Sequence, residues 1–181
     1  KKLLDKCDFM ILGGGILNTF LKAKGNEIGK SLYEKDLVNE AKSILNSTLA
    51  SKIVLPSDLT CESDLKPKNI DEGDISTSDF IFDIGEKSLK NIKSIINKSS
   101  SIFWNGPLGY VEKKTYDKGT IELAKTIAGH NCFSIIGGGD TLPIIENLNL
   151  QNKYSCLSTG GGSLLTYLEG GSLPILNKLN L

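Results

Sequence analysis

The sequence predicts a doubly wound α/β domain, a mostly parallel sheet with helices on both faces. Three observations carry that expectation: short runs of β-forming residues end in glycine clusters, stripes with helical period separate them, and the runs lack polar alternation. Strands without alternation are buried on both faces, and helices between such strands are the crossovers a parallel sheet requires. The chain has 181 residues, close to one domain at roughly 150 residues each, so residues 1–181 are read as a single domain. Apolar residues make up 39% and glycines number 19, a composition able to bury a core.

Taken in order, Lys1–Lys6 reads as helical, and with no initiating Met the chain is read as a piece of a longer protein. Phe9-Met10-Ile11-Leu12 is a strand entering Gly13-Gly14-Gly15, which opens a helix. Leu37, Val38, Ala41, Ile44 and Leu45 form one core stripe; Leu89, Ile92, Ile95 and Ile96 a second; Ile121, Ala124, Ile127 and Ala128 a third. From Pro56 to Asp79 seven acidic residues face only Lys66 and Lys68, and the stretch is read as a surface excursion with irregular or short strand content. Three further strands follow: Ile102-Phe103-Trp104 into Asn105-Gly106-Pro107-Leu108-Gly109, Phe133–Ile136 into Gly137-Gly138-Gly139, and Tyr154–Leu157 into Ser158-Thr159-Gly160-Gly161-Gly162. In such a Rossmann-like domain the ligand lies at the carboxyl ends of the strands, where all four glycine loops fall.

Composition narrows the guest. The 21 cations, all Lys and none Arg, balance 21 carboxylates, so no electrostatic footprint for nucleic acid or an anionic membrane is expected. Lys1-Lys2 ahead of apolar residues imitates a signal peptide, but Asp5 and Asp8 interrupt it, and no run approaches the ~18 apolar residues of a membrane span. Cys7, Cys61, Cys132 and Cys156 form no C-x-x-C pair and are read as buried free thiols in a reducing cytoplasm; the lone His130 weakens any zinc site.

A strand turning through glycines into a helix directs several backbone N–H groups at one point, and phosphate is the natural guest. One cluster alone can be a tight turn, but three at one end of three strands favour a polyphosphate. Gly25–Ser31 imitates a Walker loop but is one residue short between its glycines and lacks a preceding strand; G-x-G-x-x-G fails at Asn18 and Leu165. Asp140 and Thr141, at a helix entrance, can serve as N-caps. Beside a phosphate site, however, the Asp140 carboxylate implies an intervening hard cation, Mg2+.

Trp104–Glu112, Gly137–Thr141, Ser158–Gly162 with Leu168-Glu169-Gly170, and Gly13–Gly15 with Thr19–Lys22 and Glu27–Leu32 resemble the phosphoglycerate kinase family, in family order over essentially the whole chain. The likeness is to the family's C-terminal, nucleotide-binding half. It implies reversible transfer of the acyl phosphate of 1,3-bisphosphoglycerate to MgADP, giving ATP and 3-phosphoglycerate, in a cytoplasmic enzyme that is monomeric at full length. By the same resemblance, Gly14, Gly15, Leu32, Phe82 and Tyr110 would line the adenine slot, and Asn105, Pro107 and Glu112 would hold the ribose and nearby phosphate. Gly138, Gly139 and Thr141 would meet phosphate, Asp140 would bind Mg2+, and Thr159, Gly160, Gly161 and Gly162 would face the transferring phosphoryl group.

The sequence departs from the family pattern at Ile81, where Gly is usual beside the adenine, at Glu86, where Pro is usual, and at Ser163-Leu164, where Ala-Ser is usual. The family's paired nucleotide lysines and its basic, Arg-bearing substrate half, through which 1,3-bisphosphoglycerate and 3-phosphoglycerate would bind, fall outside this chain. The isolated chain is therefore expected to be inactive. The alternative reading is a catalytically inactive adenine-nucleotide-binding module with a regulatory or assembly role.

Overall fold

The computed structural model describes residues 1–173 and Lys178. The chain runs β1 (Met10–Ile11), α1 (Gly14–Lys24), α2 (Val38–Leu45), β2 (Ile53–Val54), β3 (Asp58–Ser63), β4 (Lys66–Asp71), β5 (Phe80–Ile84) and α3 (Glu86–Ile96). It continues with β6 (Ser101–Asn105), α4 (Lys118–Gly129), β7 (Phe133–Gly137), α5 (Leu142–Asn147), β8 (Cys156–Ser158) and α6 (Gly162–Leu168). Lys1–Lys6, read as helical, holds a 3-10 turn at Leu4–Lys6.

The parallel strands form two groups. β1 pairs with β2, and β6, β7 and β8 pair in that order, with Trp104 opposite Ile136 and Ile135 opposite Cys156. Alternation sends Trp104, Ser134 and Ile136 into the core, so the sheet buries one face against helices. On the other face Leu164 of α6 reaches Gly137, while Phe103 and Phe133 stay 38% and 58% exposed. α1 packs on α2, and α3 on α4.

The helical stripes reach the core as expected, with two adjustments. Leu37 is 50% exposed because it ends the 3-10 turn Lys35–Leu37 and so lies off the α2 stripe. In α4 the buried set includes Leu123, which packs with Ala124 and Ile127. Of the four free cysteines only Cys61 is buried, its thiol pushed up to about 12 by desolvation; Cys7 and Cys132 are half-buried and Cys156 is exposed. The expectation of four buried thiols is corrected accordingly. Among the described residues no helix is long and apolar enough to cross a membrane.

The stretch from Pro56 to Asp79 holds the short strands expected of it, and the correction concerns its place, because β3 is largely buried and not a surface excursion. It supplies a β3–β4 hairpin, and β3 also pairs antiparallel with β5, giving a three-stranded sheet ordered β4-β3-β5. The hairpin turn puts Asp64 and Leu65 at φ 50° and 61°. Two successive positive φ values match the twist of the flanking strands, but Asp-Leu carries none of the usual Gly signal for such a turn. Two of its acids are structural. Asp79 is buried and accepts from the Ser76 amide. Asp58 is 4% exposed and caps α3 from a neighbouring strand, accepting from the amides of Lys87 and Ser88 and from the Ser88 hydroxyl. Gly85, just before α3, leaves room for it: a Cβ there would lie 2.2 Å from the Asp58 carboxyl carbon.

Candidate functional site

The four loops after β1, β6, β7 and β8 touch in series along the carboxyl edge. Gly14, at φ +58°, donates its amide to Leu108 O at 2.9 Å, and a Cβ on Gly13 would lie 2.7 Å from the Leu108 side chain and 2.9 Å from its Cα. The first loop is thus pressed against the second. Within the second, the Trp104 indole N–H donates to Gly106 O, and Thr120 Oγ1 accepts from the amides of Leu108 and Gly109. Gly109 has no room for a side chain, because a Cβ would stand 2.4 Å from both Asp83 Oδ1 and Tyr116 O. Asp83 is buried and accepts from the Ile84 and Gly119 amides; burial pushes its carboxyl up to about 6, against the pull of those hydrogen bonds.

The third loop meets the second at Gly138, whose φ is +101°. A Cβ there would sit 3.0 Å from Gly106 N, 3.1 Å from Asn105 Oδ1 and 3.2 Å from Thr141 Oγ1. The fourth loop is brought beside the third through α6, whose Leu164 packs on Gly137 at the end of β7. Its Gly161 has φ +49°, and among the described residues the Gly161 and Gly162 amides donate to no protein acceptor. The Gly160 amide is taken by Ser158 Oγ at 3.2 Å.

Two side chains at the centre of this edge are left without partners. Asn105 Nδ2 and Thr141 Oγ1 are both buried, and among the described residues neither makes a hydrogen bond. An unsatisfied buried polar group costs about 1–3 kcal/mol, so two such donors beside the Gly137–Gly138 turn call for an external acceptor. The expected N-cap is corrected here: Thr141 already has helical φ and ψ of −85° and −42°, and its side chain makes no capping bond to α5. Asp140 is exposed, and among the described residues its carboxylate accepts no hydrogen bond and joins no ion pair. No group of three or more His, Cys, Asp or Glu is placed to hold a metal among the described residues. Asp140 could therefore serve a hard cation only as a single protein ligand, the rest of the shell coming from phosphates and water.

Beside the second loop lies an aromatic stack. Phe82 on β5 stacks on Tyr110 with centroids 5.3 Å apart, on Phe80 at 5.6 Å, and meets Tyr116 at 4.9 Å. The Tyr110 amide donates to Phe82 O. The structure thus brings Phe82 and Tyr110 together, with Tyr110 45% exposed. Leu32 is 86% exposed and tied to α1, its carbonyl accepting from Asn18 Nδ2 at 2.9 Å. Pro107 and Gly14 adjoin, whereas Gly15, Gly139, Glu112 and Thr159 are open positions on the edge or its loops, the Glu112 and Thr159 side chains having no partner among the described residues. Ile81 joins the core between Phe80 and Phe82, its amide held by Ser31 Oγ, so its side chain is directed away from the aromatic face. Gly25 and Gly29 are structural: Gly25 ends α1 at φ 98°, and Gly29 abuts Asp79 O.

Sequence reasoning missed Asp83, Thr120, Glu62 and Tyr116, which shape the second loop from other elements. Only Gly109 and Gly119, both crowded by Asp83, carried a local trace of that packing. A cavity of about 430 Å³, lined by Ala128–Cys132 and Asn152–Ser155, lies at the opposite, amino ends of β7 and β8. It is away from all four loops.

The chain has the parallel-sheet α/β architecture, and the row of glycine loops at the strand ends is its candidate ligand surface. Residues 1–171 match the phosphoglycerate kinase family. A phosphoglycerate kinase of Francisella philomiragia is 43% identical over 98% of this chain and 47% of its own length, and one of Blochmanniella floridana is 42% identical over 95% and 43%. The solved structure of phosphoglycerate kinase from Coxiella burnetii superposes with a TM-score of 0.92 at 37% identity, over 99% of this chain and 48% of that one. The chain belongs to the phosphoglycerate kinase family, and it spans about half the length of the curated relatives it matches.

Proposed function

We propose that the chain supplies the Mg-nucleotide site of a phosphoglycerate kinase, an enzyme moving the acyl phosphate of 1,3-bisphosphoglycerate to ADP to give 3-phosphoglycerate and ATP. The observation that carries this reading is the pair of buried donors, Asn105 Nδ2 and Thr141 Oγ1, unpartnered among the described residues and next to Gly137 and Gly138 respectively, where the glycine loops converge. Phosphate and ribose oxygens satisfy both donors. Gly138 and Gly139 let the phosphates approach the backbone, and the free Gly161 and Gly162 amides, with Gly160 and Thr159 beside them, face the group in transfer. Phe82, Tyr110, Leu32, Gly14 and Gly15 form the base side, and Pro107 and Glu112 the ribose side.

Asp140 fits Mg2+ as one uncommitted carboxylate beside a phosphate surface. When bound there, Mg2+ neutralises charge developing on the phosphate oxygens. This chain's own part is placement: glycine amides and Thr141 fix the phosphates, while Asn105 fixes the sugar end. The acceptor and the cations that stabilise the moving phosphoryl are assigned to the half that the relatives carry beyond the matched region.

The test pairs binding with turnover. The purified chain is expected to bind MgADP but to show no coupled-assay activity, and activity is expected only when it is joined to that second half from a relative. Turnover by the chain alone at an ordinary enzymatic rate of roughly 1–1,000 s⁻¹ would overturn the division of labour. Binding with no turnover even when joined would leave a nucleotide-binding module.

A further inference from the structure

We infer that Glu62, on the β3–β4 hairpin, is a positioning residue that holds the Tyr110–Tyr116 loop in register for the nucleotide base. The inference rests on the nucleotide site proposed above. Glu62 accepts from the Lys113 ammonium and, at 2.7 Å, from the Tyr116 hydroxyl, with its side chain only 12% exposed. A partly buried carboxylate with two donors, one of them charged, is a stronger tie than an exposed ion pair. Lys113 Nζ also lies 5.1 Å from the Tyr116 ring centroid and 5.9 Å from that of Phe82, within reach of both π faces.

The tie has a counterpart at the other end of the loop. The Tyr110 amide donates to Phe82 O, the Lys113 amide to Tyr110 O, and the Tyr116 amide to Lys113 O. Phe82 lies on β5 and Glu62 on β3, strands that pair with Glu62 opposite Phe80. Tyr110 is therefore fixed by its backbone to β5, while three and six residues later Lys113 and Tyr116 are drawn onto β3. That leaves Tyr110 with one face against Phe82 and the residue 45% exposed, and it carries Glu112 between the two anchors. The hydrogen bonds from Lys113 and Tyr116 hold the Glu62 carboxyl below its ordinary range, so the tie is ionised at neutral pH.

The experiment compares the chain with Glu62→Gln, Lys113→Met and the double variant by titration with ADP and with inorganic tripolyphosphate. Each single variant should weaken ADP roughly fivefold and tripolyphosphate less than about twofold, and the double should be no worse than the weaker single, as for partners in one interaction. Retained tripolyphosphate binding also reports that the variants fold, and Lys113→Met alters a side chain 46% exposed, outside the core. A second readout needs no nucleotide: tryptic cleavage after Lys113 or Lys114 should be about tenfold faster in Glu62→Gln, following the opening of a loop freed at one end. Unchanged ADP affinity, or equal losses for both ligands, overturns the positioning role. If the unaltered chain bound tripolyphosphate but not ADP, the base site itself would be refuted and the role with it, while the proteolysis result would still tell whether Glu62 holds the loop.

Discussion

Asp140→Asn is expected to remove most of the Mg2+-dependent gain in ADP affinity, a loss of at least about tenfold, or roughly 1.4 kcal/mol. Asn keeps the shape and loses the charge on which a hard cation depends. Metal-free ADP should bind as well or better, since a carboxylate beside the phosphates is gone. Stability should change by less than about 0.5 kcal/mol, because Asp140 is exposed and caps nothing in α5. The measurement is ADP affinity with and without Mg2+ for both proteins, beside a denaturant midpoint. An unchanged Mg2+ dependence would remove the metal from Asp140.

Asp58→Ala should have the largest effect on folding, about 3 kcal/mol at pH 7, since it strips two amides and a hydroxyl of their acceptor at the start of α3. Burial raises the Asp58 carboxyl, but the hydrogen bonds from Ser88 and Lys87 outweigh it and leave it below the ordinary Asp range. Its contribution is therefore present above the unfolded value of about 4 and lost as pH falls through the lower folded value. Asp83 acts in the opposite sense. Burial raises its folded carboxyl to about 6, so the fold binds more protons than the unfolded chain, and stability falls as pH rises between about 4 and 6. Urea unfolding across pH should show an acid limb that flattens in Asp58→Ala while the decline toward pH 6 persists. A variant within about 0.5 kcal/mol of the unaltered chain would show that the α3 amides find water instead.

What was legible in the sequence was periodic or local. Unalternating runs before glycines gave β1, β6, β7 and β8, and the stripes through Ala41, Ile92 and Ala124 gave α2, α3 and α4. Short strands were expected between Pro56 and Asp79, but the β3–β4 turn was not legible because Asp64-Leu65 reaches positive φ without glycine, and the burial of Asp58, counted as a surface acid, depends on hydrogen bonds from Ser88 formed at a distance in the chain. At the candidate site, glycines and Asp140 announced themselves by type and position. The orphaned donors of Asn105 and Thr141, the crowding of Asp83 against Gly109, and the reach of Glu62 to Lys113 depend on contacts between elements, and no spacing along the chain encodes them.

The central claim is that the four loops form one site, and amide chemical shifts of the labelled chain titrated with MgADP test it most directly. Together, the amides of Gly14 and Gly15, of Asn105 and Gly106, of Gly138 and Gly139, and of Gly161 and Gly162 are expected to move with a single affinity, with Tyr110 shifting alongside them. Shifts confined to one loop, or gathered instead around His130 and Lys153 at the far end of the sheet, would contradict it.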